Sequence, residues 1–257
     1  MLLQDRIALI VGAGAGLGRA IAGAYAREGA TLCLADRNEE GAHETLKLSG
    51  PPEGSIAVQV DVSDTDACSG VVEKTASQFG RIDILVNCAA ICLVDALLEV
   101  TPDRWDKVFD VNTRGAFFLM QAAAKAMIPN RFGRIITITT PASKMGFPNF
   151  TSYAASKAAV DSLTRAAAVA WAPHGITVNT IAPGRMTGGM IDALEADLVR
   201  VTGKSVDTLR AERTTGLPMN RRVAPEEVAE AAVWLASDAA AYVTAERFNF
   251  TGGMELS

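Results

Sequence analysis

Tyr153 and Lys157 stand four residues apart in the stretch Phe150-Thr-Ser-Tyr-Ala-Ala-Ser-Lys-Ala-Ala-Val160. From there to about Trp171 the chain is Ala-rich and free of Gly and Pro, which predicts a helix. On a helix that spacing puts a phenol and an ammonium on one face, about 5–6 Å apart at Cβ. A free tyrosine titrates near ~10, too high for a proton shuttle at neutral pH. A neighbouring cation favours the phenolate and brings the value towards the working range. A packed tyrosine beside an extended lysine has the same spacing, so the pair gains meaning only from what surrounds it.

A second constellation lies near the N-terminus. The apolar run Ile7 to Val11 predicts a strand buried on both faces, and it leads into Gly12-Ala-Gly14-Ala-Gly16-Leu17-Gly18. Glycines there let the backbone approach a pyrophosphate, and the N-terminus of the following helix supplies amides and partial positive charge. The spacing G-x-G-x-x-G fails from Gly12, because its last position falls on Leu17, whereas G-x-x-x-G-x-G fits at Gly12, Gly16 and Gly18. The next predicted strand, Thr31 to Ala35, ends at Asp36. A carboxylate in that place accepts hydrogen bonds from ribose hydroxyls and repels a 2′-phosphate. With Ala at position 15, Asp36 predicts NAD. Arg37 is the dissenting residue, since a guanidinium could pair with the 2′-phosphate of NADP.

These residues need elements to hold them. Asn38 caps a predicted helix through Leu46, Ile56 to Val60 is a strand stopping at Asp61-Val62, and Ser63 or Asp64 starts a helix ending near Gly80. Ile82 to Val86 is a strand reaching Asn87. Thr101-Pro102-Asp103 opens a helix that continues with a bend through Met127. Further strands are Arg134 to Ile138, Ile176 to Ile181, which runs to Pro183-Gly184, and Phe248 to Phe250. Residues 185–224 are less regular, with one or two short helices, and Pro225 opens another helix through Leu235. This alternation predicts an α/β fold, a Rossmann-type, doubly wound parallel sheet with helices on both faces, in a single domain over 1–257. Right-handed crossovers then bring Asp36, Asp61, Asn87, Thr139-Thr140 and Pro183-Gly184 to one edge of the sheet.

The composition narrows the class. A formal charge of −5 argues against a nucleic-acid or anionic-membrane surface. No stretch approaches the ~20 apolar residues of a membrane span, and the N-terminus lacks a cleavage site, so a cytoplasmic protein is expected. Cys33, Cys68, Cys88 and Cys92 have no C-x-x-C spacing, and only two histidines could join them, so neither a metal site nor a disulfide framework is expected.

Taken together, these motifs resemble the short-chain dehydrogenase/reductase family in its compact form, from Arg6 to Gly253. Gly12, Gly16 and Gly18 match its cofactor loop, Asp61-Val62 its adenine contact, and Asn87-Cys-Ala89-Ala90 its N-N-A-G element. Asn112 matches an Asn that holds a proton-relay water, Tyr153 and Lys157 the acid/base pair, and Pro183-Gly184 the turn beneath the nicotinamide. Pro225-Glu-Glu-Val, Leu-Ala-Ser-Asp238 and Gly252-Gly253 match its C-terminal elements. Five positions depart from the pattern. Val11 stands for Thr, Ala90 for Gly, Ala245 interrupts Y-I-T-G, and Thr140 replaces the catalytic Ser. Gly188 falls where a Thr is usual, with Thr187 adjacent to supply the carboxamide contact. Ser143 is the rival hydroxyl to Thr140, but it lies past Pro141.

The resemblance implies hydride transfer between NAD(H) and a small secondary alcohol or its ketone. Tyr153 would exchange the proton, Lys157 would hold the nicotinamide ribose and lower the tyrosine pKa, and Asn112 would relay the proton through water. Residues 187–216 would form the lid over the substrate. An NADP-dependent 3-oxoacyl or other ketone reductase is the alternative enzyme. A cofactor-binding sensor without turnover and a nucleotide-sugar epimerase or dehydratase belong to other classes. A homotetramer, or a homodimer, is implied through the helix starting near Asp103 and the Tyr153 helix, whose faces 116–126 and 158–170 are Ala-rich.

Overall fold

A computed structural model describes residues 1–188, 190–212 and 214–255. The elements follow in the order β1 (Ile7–Val11), α1 (Gly16–Arg27), β2 (Thr31–Asp36), α2 (Glu39–Ser49), β3 (Ile56–Gln59), α3 (Thr65–Phe79) and β4 (Ile84–Asn87). The second half continues with α4 (Pro102–Phe109), α5 (Ala116–Met127), β5 (Gly133–Ile138), α6 (Thr151–Trp171) and β6 (Ile176–Pro183). Three short helices, α7 (Met190–Ala193), α8 (Glu195–Thr202) and α9 (Val206–Glu212), precede α10 (Pro225–Ala236) and β7 (Arg247–Phe250).

The seven strands form one sheet in the order β3-β2-β1-β4-β5-β6-β7, and every pairing is parallel. The period of two along each strand explains the two cores. On β1, Ala8 and Ile10 face the layer that contains α1 and α10, while Leu9 and Val11 face the layer of α3, α5 and α6. Both faces are covered, which is why the strands read as continuous apolar runs. The order reverses beside β1: the chain first moves outward to β2 and β3, then returns to place β4 on the other side. Val11 lies opposite both Ala35 and Asn87, so the loops after β1, β2 and β4 meet at that switch point, where α/β sheets bind ligands.

Local chemistry sets the boundaries. The Asn38 side chain accepts from the Gly41 amide at 3.2 Å and caps α2, and Asp64 accepts from Asp66 and Ala67 to cap α3. Thr101 caps α4 through the Arg104 amide, with Pro102 at the first helical position. β4 begins at Ile84 rather than Ile82, because the Asp83 carboxylate accepts the Ile7 amide at 2.8 Å and the Arg81 guanidinium at 3.0 Å. The bend expected before Met127 is a π-helical turn over Asp110–Gly115 that separates α4 from α5. At its end, a Cβ on Gly115 would lie 2.2 Å from the Val62 carbonyl oxygen, so glycine allows the close approach to the loop after β3. The irregular stretch carries three short helices instead of one or two. Its base is pinned: Thr187 donates its amide to the Val223 carbonyl and Val223 donates to Arg185, both at 3.0 Å. Among the described residues, no helix is long and apolar enough to cross a membrane.

Candidate active site

A cleft of about 720 Å³ opens along the C-terminal edge of the strands, over the switch point. One end is bordered by Gly12, Gly16, Leu17, Gly18, Asp36, Arg37, Asp61 and Val62. Ala89, Lys157, Tyr153, Thr140 and the Pro183-Gly184 turn border its middle. The sequence-separated loops are thus brought into one continuous cavity.

The glycine loop owes its residues to space. A Cβ on Gly18 would sit 2.0 Å from the Gly12 carbonyl oxygen, and one on Gly12 would sit 2.5 Å from the Ala89 amide nitrogen. Gly12 and Gly16 also have φ of +81° and +53°, in the left-handed region. A Cβ on Gly16 would meet no atom within 4 Å. It would project into the open cleft, over the N-terminus of α1, where a pyrophosphate needs bare backbone. The residues present therefore fit a dinucleotide. Gly14 does not border the cleft; its amide donates to Asp36 Oδ2 at 2.8 Å and fixes that carboxylate. Asp36 Oδ1 accepts from the Asn38 amide, also at 2.8 Å. Hydrogen bonds from the Ser63 hydroxyl and amide, with the Arg37 charge beyond them, lower the Asp61 pKa. Asn87 is buried and accepts the Ala89 amide at 3.0 Å, shaping the loop after β4 from behind.

Tyr153 lies in the first turns of α6, half-buried in the cleft wall. Lys157 is one turn further on and buried, with Nζ 6.0 Å from the Tyr153 ring centroid. Its Nζ donates to the Ile138 carbonyl at the end of β5, at 2.8 Å. The expected lowering of the tyrosine by its lysine is not the dominant effect here. Burial raises the Tyr153 pKa, and the neighbouring Thr140 hydroxyl only partly opposes it. Burial also pushes Lys157 down to about 8, opposed by negative charge that includes Asp161, one further turn along α6. Cys88 and Cys92 flank the ammonium but are themselves pushed up to about 12 by burial, so at neutral pH they are uncharged thiols and lend it no support. Asp161 is the neighbouring carboxylate that does.

The Asn112 side chain makes three hydrogen bonds within the protein. Its amide nitrogen donates to the Ile91 carbonyl at 2.8 Å and to Ser156 Oγ at 3.0 Å, and its oxygen accepts the Ile91 amide at 2.8 Å. Ser156 Oγ in turn donates to the Tyr153 carbonyl at 2.7 Å. Asn112, carried on the π-helical turn, therefore ties the loop after β4 to the Tyr153 helix and does not border the cleft. Thr187 is exposed at the base of the short helices and does not border the cleft either.

Of the two rival hydroxyls, Thr140 reaches the cleft and Ser143 does not. Ser143 Oγ donates to Asp161 Oδ2 at 2.6 Å and lies 2.9 Å from the Thr140 carbonyl oxygen. Asp161 Oδ1 accepts from Thr180, and Oδ2 also accepts from Arg247 Nε at 3.1 Å. The Arg247 guanidinium completes its bonds on Glu255, at 2.8 Å to each carboxylate oxygen. This network behind Thr140 escapes sequence reading, because Arg247 and Glu255 lie almost a hundred residues from Asp161. The one signal was Asp161 itself, which continues the four-residue spacing of Tyr153 and Lys157.

A parallel sheet with a glycine-floored cleft at its switch point defines a Rossmann-type dinucleotide-binding protein. A family model described as enoyl-(acyl carrier protein) reductase matches residues 12–255. Galactitol 2-dehydrogenase of Agrobacterium fabrum is 36% identical over 258 residues, covering 100% of both chains. The crystal structure of NAD+-bound xylitol dehydrogenase superposes with a TM-score of 0.92 at 27% identity, covering 98% of this chain and 100% of the other. A variant of the actinorhodin polyketide ketoreductase with NADPH gives 0.92 at 30% identity, with 97% of each chain covered. The chain belongs to the short-chain dehydrogenase/reductase family. It is an NAD(P)-dependent oxidoreductase of the alcohol/ketone class.

Proposed function

We propose that the protein transfers a hydride between NAD(H) and a small secondary alcohol or its ketone, with Tyr153 as the general acid/base. The observation that carries this reading is that Tyr153, Lys157 and Thr140 border the same cleft as the bare glycine loop. The bound nicotinamide would accept or deliver the hydride, and its oxidised ring would bring a positive charge to the site.

Gly12, Gly16, Leu17 and Gly18 would cradle the pyrophosphate, Asp36 the adenosine ribose, and Asp61-Val62 the adenine. Ala89 and Pro183-Gly184 would flank the nicotinamide half, and Lys157 would hold its ribose. NAD rather than NADP is favoured by the Asp36 carboxylate, which the Gly14 and Asn38 amides orient and which would repel a 2′-phosphate. Arg19, the basic side chain beside the loop, is already spent on Gly14, Thr45 and Glu44. Arg37 remains the residue that would favour NADP.

Tyr153 O–H would give its proton to the carbonyl oxygen in reduction and recover it in oxidation. The Thr140 hydroxyl, with the donor and acceptor capacity of the family's serine, would hydrogen-bond the same oxygen. Asn112 serves as a positioning residue through Ile91 and Ser156. Residues 187–216 would close over the substrate, in one domain over 1–257. The exposed side chains of Phe118 on α5 and Val169 on α6 support pairing of these helices with further copies in a homotetramer.

The test is turnover of NAD with secondary alcohols, followed at the NADH absorbance, in wild type and Tyr153→Phe. The variant should lose nearly all of kcat and keep its NADH affinity. A loss confined to KM would remove Tyr153 from the proton transfer. NADH binding with no turnover of any alcohol or ketone by the wild type would favour the sensor reading.

A further inference from the structure

The cleft continues past Thr140 and Tyr153, away from the glycine loop, and this far end has a different character. Phe147 and Phe150 come from the segment between β5 and α6, Met190, Leu198 and Leu209 from the short helices, and Met254 from the C-terminal segment. Leu198 and Leu209 are buried with Val94 and pack on Phe150, so the short helices close on the floor through apolar contacts. Three charged residues, Arg185, Glu212 and Arg222, also border the cleft, each with partners inside the protein. Arg185 Nη1 donates to the Glu212 carbonyl and Arg222 Nη2 to the Met186 carbonyl. The Glu212 carboxylate accepts Lys204 Nζ at 2.7 and 2.9 Å.

Resting on the alcohol/ketone reading above, we infer that the part of the substrate beyond its reacting carbon is apolar: an alkyl, alicyclic or aryl group rather than a polyhydroxylated chain. A polyol entering this end brings a hydroxyl on every carbon. Each one must leave water, and the described side chains around it are mainly carbon, sulfur and aromatic ring. A hydroxyl stranded without a partner weakens binding by roughly ten-fold or more, and several would compound. An apolar group gains instead, by about three- to four-fold for each methylene buried. The reacting oxygen keeps its partners in either case, because Thr140 and Tyr153 stand at the boundary between the two ends. A site of this kind is mostly apolar, with a few convergent polar groups that fix orientation.

The experiment compares kcat/KM for 2-butanol, 2-hexanol, 2-octanol, 1-phenylethanol and galactitol at saturating NAD. The alkanol series should climb by about three- to four-fold per methylene, and 2-octanol and 1-phenylethanol should exceed galactitol by at least a hundred-fold. A flat alkanol series, or galactitol equal to or better than 2-octanol, overturns the inference. Phe147→Asn should flatten the climb while leaving NADH affinity unchanged. A climb unaffected by this variant would move the apolar contact elsewhere and remove the assigned site. Should no alcohol turn over, binding to the enzyme–NADH complex, read by NADH fluorescence, separates the two ideas. Binding of 2-octanone but not galactitol upholds the apolar site and ends the catalytic reading. Binding of galactitol alone, or of neither, ends the inference.

Discussion

Arg247 Nη2 donates to the Thr140 carbonyl at 2.8 Å, so the last strand holds the end of the fifth in place beside Tyr153. The same guanidinium donates through Nε to Asp161 and through Nη1 and Nη2 to Glu255. All three side chains are nearly closed to solvent, at 9% exposed for Arg247, 7% for Asp161 and 3% for Glu255. Two carboxylates share one guanidinium, with Lys144 Nζ 3.9 Å from Glu255 as a more distant cation. Such a group is stable only because almost every oxygen and nitrogen in it is hydrogen-bonded. It also supplies Asp161 as the fixed negative charge behind Lys157.

Arg247→Met should be strongly destabilising, because it takes from two buried carboxylates the guanidinium they share. Breaking such a cluster costs about 3–5 kcal/mol, which urea denaturation would measure. A loss well under ~1 kcal/mol would mean that both carboxylates relax into water and the cluster holds nothing together.

The fold was readable because the central strands are nearly continuous apolar runs and three of the helices begin at a capping residue. Asn38, Asp64 and Thr101 cap as their side-chain chemistry dictates. The glycine loop was readable for the same reason: only residues without Cβ fit beside the Ala89 amide and the Gly12 carbonyl. What stayed hidden depends on long-range packing. The sequence pairs Tyr153 with Lys157, but how far each is desolvated is decided by walls from Cys88, Cys92 and the Ile138 carbonyl. Burial therefore outweighs the neighbouring charge on the phenol. The three short helices over the cleft were also underestimated. Their apolar residues pack on Val94 and Phe150, which lie far away in sequence, and show no long amphipathic period of their own.

The Thr140 and Ser143 hydroxyls should separate cleanly by mutation. Thr140→Ser keeps the donor and acceptor and should hold kcat within about ten-fold. Thr140→Ala should lose at least about a hundred-fold, on the order of ~3 kcal/mol of transition-state stabilisation. Ser143→Ala removes a bond to Asp161 within the buried cluster, so its effect should fall on stability, by about 1–3 kcal/mol, with kcat near wild type. The reverse pattern in kcat would assign the substrate contact to Ser143.

Cofactor choice should follow Asp36. A preference for NAD over NADP of at least about ten-fold in kcat/KM needs only ~1.4 kcal/mol, within reach of one carboxylate facing a phosphate. Asp36→Ala should narrow or invert that ratio, since Arg37 borders the same end of the cleft. Wild-type preference for NADP would show that Arg37 governs the pocket.

Lys157 gives the site a pH signature that needs no substrate. Burial pushes its ammonium down to about 8, whereas an unfolded lysine titrates near ~10.4. Between those values the unfolded chain binds a proton that the native protein does not, so stability rises with pH across that window. Below it both states are protonated, and the native protein bears the full cost of a buried charge. Lys157→Met removes this dependence. Its loss of the bond to the Ile138 carbonyl shifts stability by the same amount at every pH, so the shape of the difference isolates the titration. The stability of Lys157→Met minus that of wild type should therefore be level up to about pH 8 and fall towards pH ~10. Asp161 opposes the depression, so in Asp161→Asn the rise should begin at lower pH. Denaturant unfolding across this range is the measurement, and a difference that stays level throughout would mean that Lys157 keeps its proton in the native site. NADH affinity, measured alongside, should weaken over the same interval as the ammonium proposed to hold the ribose is lost.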